Sequence, residues 1–185
     1  TIRITVDETL NQHDIFAIAK ILKGLIEKLR ESWQIGNIWY NYNTKLIMTK
    51  KDKTYFNAAR AVSEMSDFEK HHIGCVVVYG HRIISSGCNI MKTHPLQKEL
   101  NKERFDGDTN HFLHAETSAL LPLINRKDIN WKDVQVYIYR EWKDGTKAIS
   151  KPCPGCRKLI KSLGIKKINY TTDNGYIQET FDWKE

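Results

Sequence analysis

A chain of 185 residues with 41% hydrophobic and 28% charged residues and only 4 prolines has room for one domain plus an appendage, and its composition excludes disordered, collagen-like and low-complexity classes. Its longest apolar runs, CVVVY and ALLPLI, fall far short of the roughly 20 residues a membrane helix needs; with no charged-then-apolar leader at the N-terminus, the expectation is a soluble, cytoplasmic protein with no membrane partner. The net charge of +7 fits an anionic partner, a nucleotide or a nucleic acid; basic residues spread along the chain are equally what an ordinary solvated surface shows.

The alternating run TIRITV opens the chain, and Ile15, Ile18, Leu22, Leu25 and Leu29 then recur at helical spacing. WQIGNIWYNYNTKLIMTKKDK interleaves aromatic and basic residues. Such a mixture can grip single-stranded nucleic acid; it also suits an extension packed on a core or on a partner subunit. A boundary near Lys51 separates this extension, residues 1–50, from a domain over 51–185. Within that domain, Phe56, Ala59, Val62, Met65 and Phe68 predict an amphipathic helix, and IGCVVVYGHRIISSGCN predicts two strands about a tight turn at Tyr79 to Arg82. A long polar segment runs from Met91 to Phe112. LHAETSALLPLI is helical in composition, DVQVYIYREW alternates as a strand does, and PCPGCRKLIKSLGI predicts a helix ending near Gly164. KKINYTT and YIQETF flank the turn signal DNG. The order α-β-β-α-β-α-β-β is that of an α/β domain, a sheet with helices on its faces.

Cys153 and Cys156 form a Cys-x-x-Cys pair at the start of a predicted helix, with Pro152 and Pro154 before them. Such a pair can be a redox centre, half of a structural zinc site or two ligands of a catalytic zinc. The prolines suit a fixed helix start, where unpaired N–H groups favour thiolates and the thiolates in turn favour a cation. Two further ligands are then wanted. Cys75 and Cys88, on the predicted hairpin, are conceivable for a structural site, but their apolar neighbours mark them as small core residues. His114 stands at the head of HAETSALL, with Glu116 two residues on. Residues i and i+2 lie about 200° apart around a helix, so the two can serve one site only from its first turn, with the metal beyond the helix end. Two helix starts meeting there supply one imidazole, two thiolates and a nearby carboxylate, and leave one position open, the arrangement of a catalytic zinc.

HAE, followed by a strand and then PCPGC, resembles the His-x-Glu…Pro-Cys-x-x-Cys signature of zinc nucleobase deaminases. The hairpin ending in Gly87-Cys88-Asn89 is similar to the one that precedes the zinc helix in the deoxycytidylate deaminase family. The resemblance spans roughly residues 54–181 and implies a cytidine deaminase-like three-layer α/β sandwich about a mixed, roughly five-stranded sheet. It implies that His114, Cys153 and Cys156 bind Zn²⁺ and that Glu116, not a ligand, moves protons. Asn89 falls where similar deaminases place an amide on substrate; its other reading is a residue that closes the hairpin. The main-chain N–H groups of Ala115 and Cys153 are candidate contacts to the base. Lys92, His94 and Lys98 either face a phosphate or form a solvated basic loop, and Lys151 and Arg157, flanking the cysteines, are further candidates for a phosphate.

Histidine as first ligand points away from small nucleoside cytidine deaminases and toward deoxycytidylate, tRNA-adenosine and polynucleotide deaminases. Two departures from the family pattern stand out: REWKDGTKAISKPC is longer than the compact Thr-x-Glu-Pro-Cys ending, and the last two strands follow each other directly. Both resemble deaminase-like proteins of bacteriophages. The implied function is hydrolytic deamination of a free cytosine nucleotide, dCMP to dUMP, by a homo-oligomeric enzyme. An editor of single-stranded nucleic acid acting on cytosine or adenine, and a non-catalytic zinc-stabilised module, are the alternatives.

Overall fold

A computed structural model describes residues 48–104, 110–142 and 144–181. The expected N-terminal extension, with its strand, helix and aromatic-basic run, lies outside the described residues except for residues 48–50.

Helix α1, Lys50–Ser63, opens on a capping box: Thr49 Oγ1 accepts from the Asp52 N–H at 3.2 Å, and the Asp52 carboxylate accepts from the Thr49 N–H at 2.9 Å. Such a cap contributes about 1 kcal/mol. The other Asp52 oxygen accepts from the buried Tyr137 hydroxyl at 2.7 Å, tying the helix start to the sheet. Burial works to raise the Asp52 pKa, yet the hydrogen bonds from Thr49 and Tyr137 leave it below the ordinary carboxylate value. The helix is shorter than its apolar spacing predicts: it ends at Ser63, Met65 is 74% exposed, and Phe68 lies beyond it. Local hydroxyl bonding accounts for the difference. Ser63 donates back to the Arg60 carbonyl, and Ser66 Oγ accepts from the Phe68 N–H while donating to Asn89, which offers the backbone a turn in place of a further helical turn.

Strands β1, His72–Tyr79, and β2, Arg82–Cys88, form the expected hairpin. Both turn residues, Gly80 and His81, have positive φ, 56° and 66°, as a right-twisting two-residue hairpin requires. β1 is buried on both faces. Val76 and Val78 pack with Tyr55, Phe56, Tyr137 and Tyr139 under α1, while Cys75 and Val77 belong to the core on the opposite face, the period of two expected of a strand.

The polar segment after β2 is more ordered than its composition suggested. It forms β3 (Ile90–Thr93), helix α2 (Pro95–Leu100), a 3₁₀ turn (Asn101–Glu103) and β4 (Phe112–Leu113), which pairs antiparallel with β3. Helix α3, Ala115–Leu120, strand β5, Gln135–Glu141, helix α4, Pro154–Ser162, and strands β6, Lys167–Thr172, and β7, Gly175–Thr180, complete the chain order. The main sheet runs β2-β1-β5-β6-β7, antiparallel except for the β5–β6 pair. That parallel pair demands a crossover, and α4 provides it. In consequence α4 begins beyond the carboxyl end of β5, where crevices of α/β sheets open.

Two glycines fix the helices that frame this crevice. A Cβ on Gly87 would come within 2.5 Å of the Ala119 nitrogen, so its absence lets α3 lie directly on β2. A Cβ on Gly155 would meet the Leu100 carbonyl oxygen at 2.4 Å, so α4 and α2 also touch backbone to side-chain-free backbone. None of the helices formed by the described residues is long and apolar enough to cross a membrane.

Candidate active site

His114 is the N-cap of α3 and Cys153 the N-cap of α4. The two helix starts converge. His114 Nδ1 lies 3.5 Å from Cys153 Sγ and 3.4 Å from Cys156 Sγ, and the three donor atoms lie within 4.8 Å of one another. Zn–S bonds of about 2.3 Å and Zn–N bonds of about 2.0 Å at a tetrahedral angle set a sulfur–nitrogen edge near 3.5 Å. The donor set therefore has the spacing and the chemistry of a zinc site. It is the sole His/Cys/Asp/Glu cluster of this kind among the described residues.

Cys75 and Cys88 stay apart from it. Cys75 is wholly buried in the core, where burial pushes its thiol well up, and its neighbour across the hairpin is Gly87, not Cys88. They are the small apolar strand residues their neighbours suggested.

The electrostatics of the cluster favour a cation. The hydrogen bond from Cys156, and then that with His114, hold the Cys153 thiol far below the usual range in spite of burial. Cys156 is pushed up by the Cys153 sulfur beside it and by burial. Burial opposes charge on His114, but Cys153 and Glu116 outweigh it and raise its pKa. The Cys156 N–H points at Cys153 Sγ, 3.5 Å away, so the helix start faces a thiolate.

The backbone of His114 is held by a buried pair of amides: its N–H donates to Gln97 Oε1 at 3.2 Å, and Gln97 Nε2 donates to Asn101 Oδ1 at 2.8 Å. Gln97 is completely buried. On the far side of the ring, Arg104 Nη1 stands 3.2 Å from Nε2.

Glu116 sits beside the cluster, buried, with its pKa raised by burial and pulled back chiefly by His114. It stands at the head of a cavity of about 370 Å³. Asn89, Ala115, Glu116, His114 and Cys153 line that cavity together with Lys151. Asn89 is heavily engaged: its Oδ1 accepts from the Ile73 N–H and the Ser66 hydroxyl, both at 2.8 Å, and its Nδ2 donates to the His71 carbonyl at 3.2 Å. It closes the hairpin and presents an edge to the cavity at once. Lys92 and His94 are not among the lining residues. Lys92 is exposed on β3, and His94 caps α2, its Nδ1 accepting from the Leu96 N–H at 3.1 Å. Arg157 forms a bidentate pair with Glu179 at 2.8 and 3.0 Å and lies over the Phe181 ring, so its charge is spent on β7.

The other lining residues include several that sequence reasoning did not single out: Phe68, His71, Arg104, Phe112, Arg140 and Ile149. Phe68 packs edge-on against Phe112 and lies near the His71 ring, each with centroids 5.6 Å apart, to give the cavity one aromatic side. The only signal pointing there was the unusual length of REWKDGTKAISKPC, which carries Arg140, Ile149 and Lys151.

A family model described as the cytidine and deoxycytidylate deaminase zinc-binding region matches residues 49–172. The chain belongs to that deaminase family. Zinc is the metal that the family and the donor set share, and its members are hydrolytic enzymes. Comparison with curated proteins gives no match. Among solved structures, cytidine deaminase from Burkholderia pseudomallei is similar at 16% identity and a TM-score of 0.50, covering 72% of this chain and 93% of its own. Apo dCMP deaminase from the cyanophage S-TIM5 is similar at 23% identity and a TM-score of 0.47, covering 68% and 86%. The first of these likenesses supports the deaminase fold, five-stranded mixed sheet and flanking helices together.

Proposed function

We propose that this deaminase hydrolyses the exocyclic amine of a free cytosine nucleotide, converting dCMP and water to dUMP and ammonia. The observation that carries the reading is the buried Glu116 beside the three-donor cluster, at the head of a cavity whose wall holds Arg104, Arg140 and Lys151. A volume of about 370 Å³ lies near the lower end of small-molecule pockets, about 300–1,000 Å³, and fits one nucleotide better than a run of bases.

His114, Cys153 and Cys156 would hold zinc, which supplies Lewis acidity and makes hydroxide available near neutral pH. Glu116 carries the protons. It accepts one from the attacking water, delivers it to the ring nitrogen next to the amine-bearing carbon, and then moves the second to the departing amine, so that water is consumed and ammonia leaves. Burial favours the protonated carboxyl and His114 favours the carboxylate, which suits a group that must be both within one turnover. The Ala115 N–H and Asn89 line the cavity and are assigned to orienting base and sugar; the engaged amide of Asn89 leaves it little freedom to move.

Ammonia release from cytidine, deoxycytidine, their mono- and triphosphates, adenosine and single-stranded oligonucleotides tests the reading, with Glu116→Gln as blank. Release confined to the cytosine nucleotides is expected. A second reading, action on single-stranded nucleic acid, draws on Trp142, 45% exposed beside the lining residue Arg140; binding of an oligonucleotide that falls steeply with salt would favour it.

A further inference from the structure

Arg140 is the penultimate residue of the central strand β5, and its backbone is tied on both sides: its N–H donates to Thr171 Oγ1 at 3.1 Å and its carbonyl accepts from the Ala148 N–H at 3.1 Å. Its side chain lines the cavity. The guanidinium carbon lies 4.6 Å from the Trp142 ring centroid, and Nη1 donates to the Ile149 carbonyl at 3.3 Å. Stacking of this kind fixes the plane of a guanidinium before any ligand arrives.

What the side chain lacks is an anion. Arg60 pairs with Glu141, Arg126 with Asp128 and Arg157 with Glu179, yet among the described residues no carboxylate lies within ion-pair distance of Arg140. Asp173 acts on it only at longer range. Its Nε is the single buried side-chain nitrogen or oxygen without a hydrogen-bond partner among the described residues. A held, stacked, anion-free guanidinium on the wall of a cavity is an unusual use of a charge, since such groups are ordinarily paired when half-buried. Lys151, at the other end of the same segment, lines the same cavity.

We infer that Arg140 is a specificity-determining residue whose guanidinium, seconded by Lys151, binds the 5′-phosphate of the substrate and makes the enzyme select a nucleoside monophosphate over the nucleoside. The inference rests on the deaminase reading for the identity of the nucleotide, and on the wall itself for the phosphate. Guanidinium and phosphate match as a bidentate pair, which lysine in the same place cannot reproduce. The long segment between β5 and Cys153 then has a purpose: it folds back through the Ala148 and Ser150 hydrogen bonds to β5 and β6 and brings Lys151 to the cavity that Arg140 lines from β5.

Calorimetric titration of the zinc-loaded protein with dUMP, deoxyuridine and inorganic phosphate tests this without turnover. The wild-type protein is expected to bind dUMP about 10- to 100-fold more tightly than deoxyuridine. Arg140→Gln should bring the two within a few-fold, Arg140→Lys should retain part of the preference, and Lys151→Gln should weaken dUMP alone. Zinc content and melting temperature report whether each variant folds; should Arg140→Gln not fold, Arg140→Lys and Lys151→Gln carry the test. A preference for dUMP that survives undiminished in the variants, or none in the wild type, overturns the inference. So does a wild type that ignores dUMP yet binds a single-stranded oligonucleotide through Arg140. The two readings fail separately: a wild type that prefers dUMP through Arg140 but releases no ammonia from any cytosine compound overturns the deamination and leaves the clamp. Equal kcat/KM for deoxycytidine and dCMP overturns the clamp and leaves the deamination.

Discussion

At the head of the cavity three donor atoms hang from two helix starts and are backed by buried amides and close-packed glycines, whereas along its side stand Arg140, near the end of β5, and Lys151, on the segment that follows, where Trp142 and Ile149 are exposed. The head is built where the parallel β5–β6 pair forces a crossover, so its place follows from sheet topology. The side is built where the chain takes a longer route between the same two elements. One end can tolerate little change in backbone, and the other can be lengthened or re-equipped with little cost to the fold. Chemistry common to a family and selectivity peculiar to one chain would be divided in just this way.

The largest test of that division is Glu116→Gln. The side chain keeps its volume, so zinc content and melting temperature should stay near wild type, while ammonia release falls by a factor on the order of 10²–10⁴. Full activity in the variant would remove Glu116 from the chemistry and leave the head of the cavity as a metal-stabilised joint. Next comes Cys156→Ser. It withdraws one donor of three and leaves Cys153 and His114 short of a cation; zinc bound per chain, read by atomic absorption, should drop close to zero together with activity. Unchanged zinc content would show that the metal does not rest on this cluster.

The two regions also differ in how far the sequence disclosed them. His114, Glu116, Cys153 and Cys156 are rare, chemically marked residues at short spacings, and the strand and helix between the two motifs are strongly periodic, so the head of the cavity is legible in the sequence. The side is not. Arg104, His71 and Phe68 reach the cavity only through tertiary closure, and nothing in their neighbours' spacing distinguishes them from surface residues. The apolar spacing of Phe68 continues α1, yet the chain leaves the helix before it; the Ser63 and Ser66 hydroxyls, which turn the chain away, leave no mark on the periodicity. Lys92 and His94 suggested a phosphate site by charge alone, but His94 is used as a helix cap. Arg157, equally suggestive beside Cys156, is neutralised by Glu179 from 22 residues further on, a pairing that only the β6–β7 hairpin brings about.

A smaller effect is expected one layer behind the metal. Gln97 touches no ligand atom of His114, only its backbone N–H, so Gln97→Ala makes a cavity and leaves that N–H and Asn101 Oδ1 without their partner. Two losses should appear together: roughly 1–3 kcal/mol of stability, and on the order of 10- to 100-fold in zinc affinity, as when support behind other metal ligands is removed. Competition with a chelator reads the second independently of unfolding. A stability loss with undiminished zinc affinity would mean that His114 is placed by the metal itself and not by α2.

The smallest effect should come from an exposed residue of the wall. Ile149 is 50% exposed and its side chain is absent from both apolar clusters; the Arg140 contact is to its carbonyl oxygen, which serine keeps. Ile149→Ser is therefore expected to change stability by no more than about 0.5 kcal/mol and zinc content not at all, as seen by thermal melting and metal analysis. The outcome bears on the whole contrast. Were this exposed position to cost as much as Gln97, the segment from Trp142 to Ser150 would be part of the cooperative core, its length would be a requirement of the fold, and the separation of a rigid chemical end from an adaptable selective side would lose its physical basis. A near-silent substitution leaves the segment free to differ where the chemistry cannot.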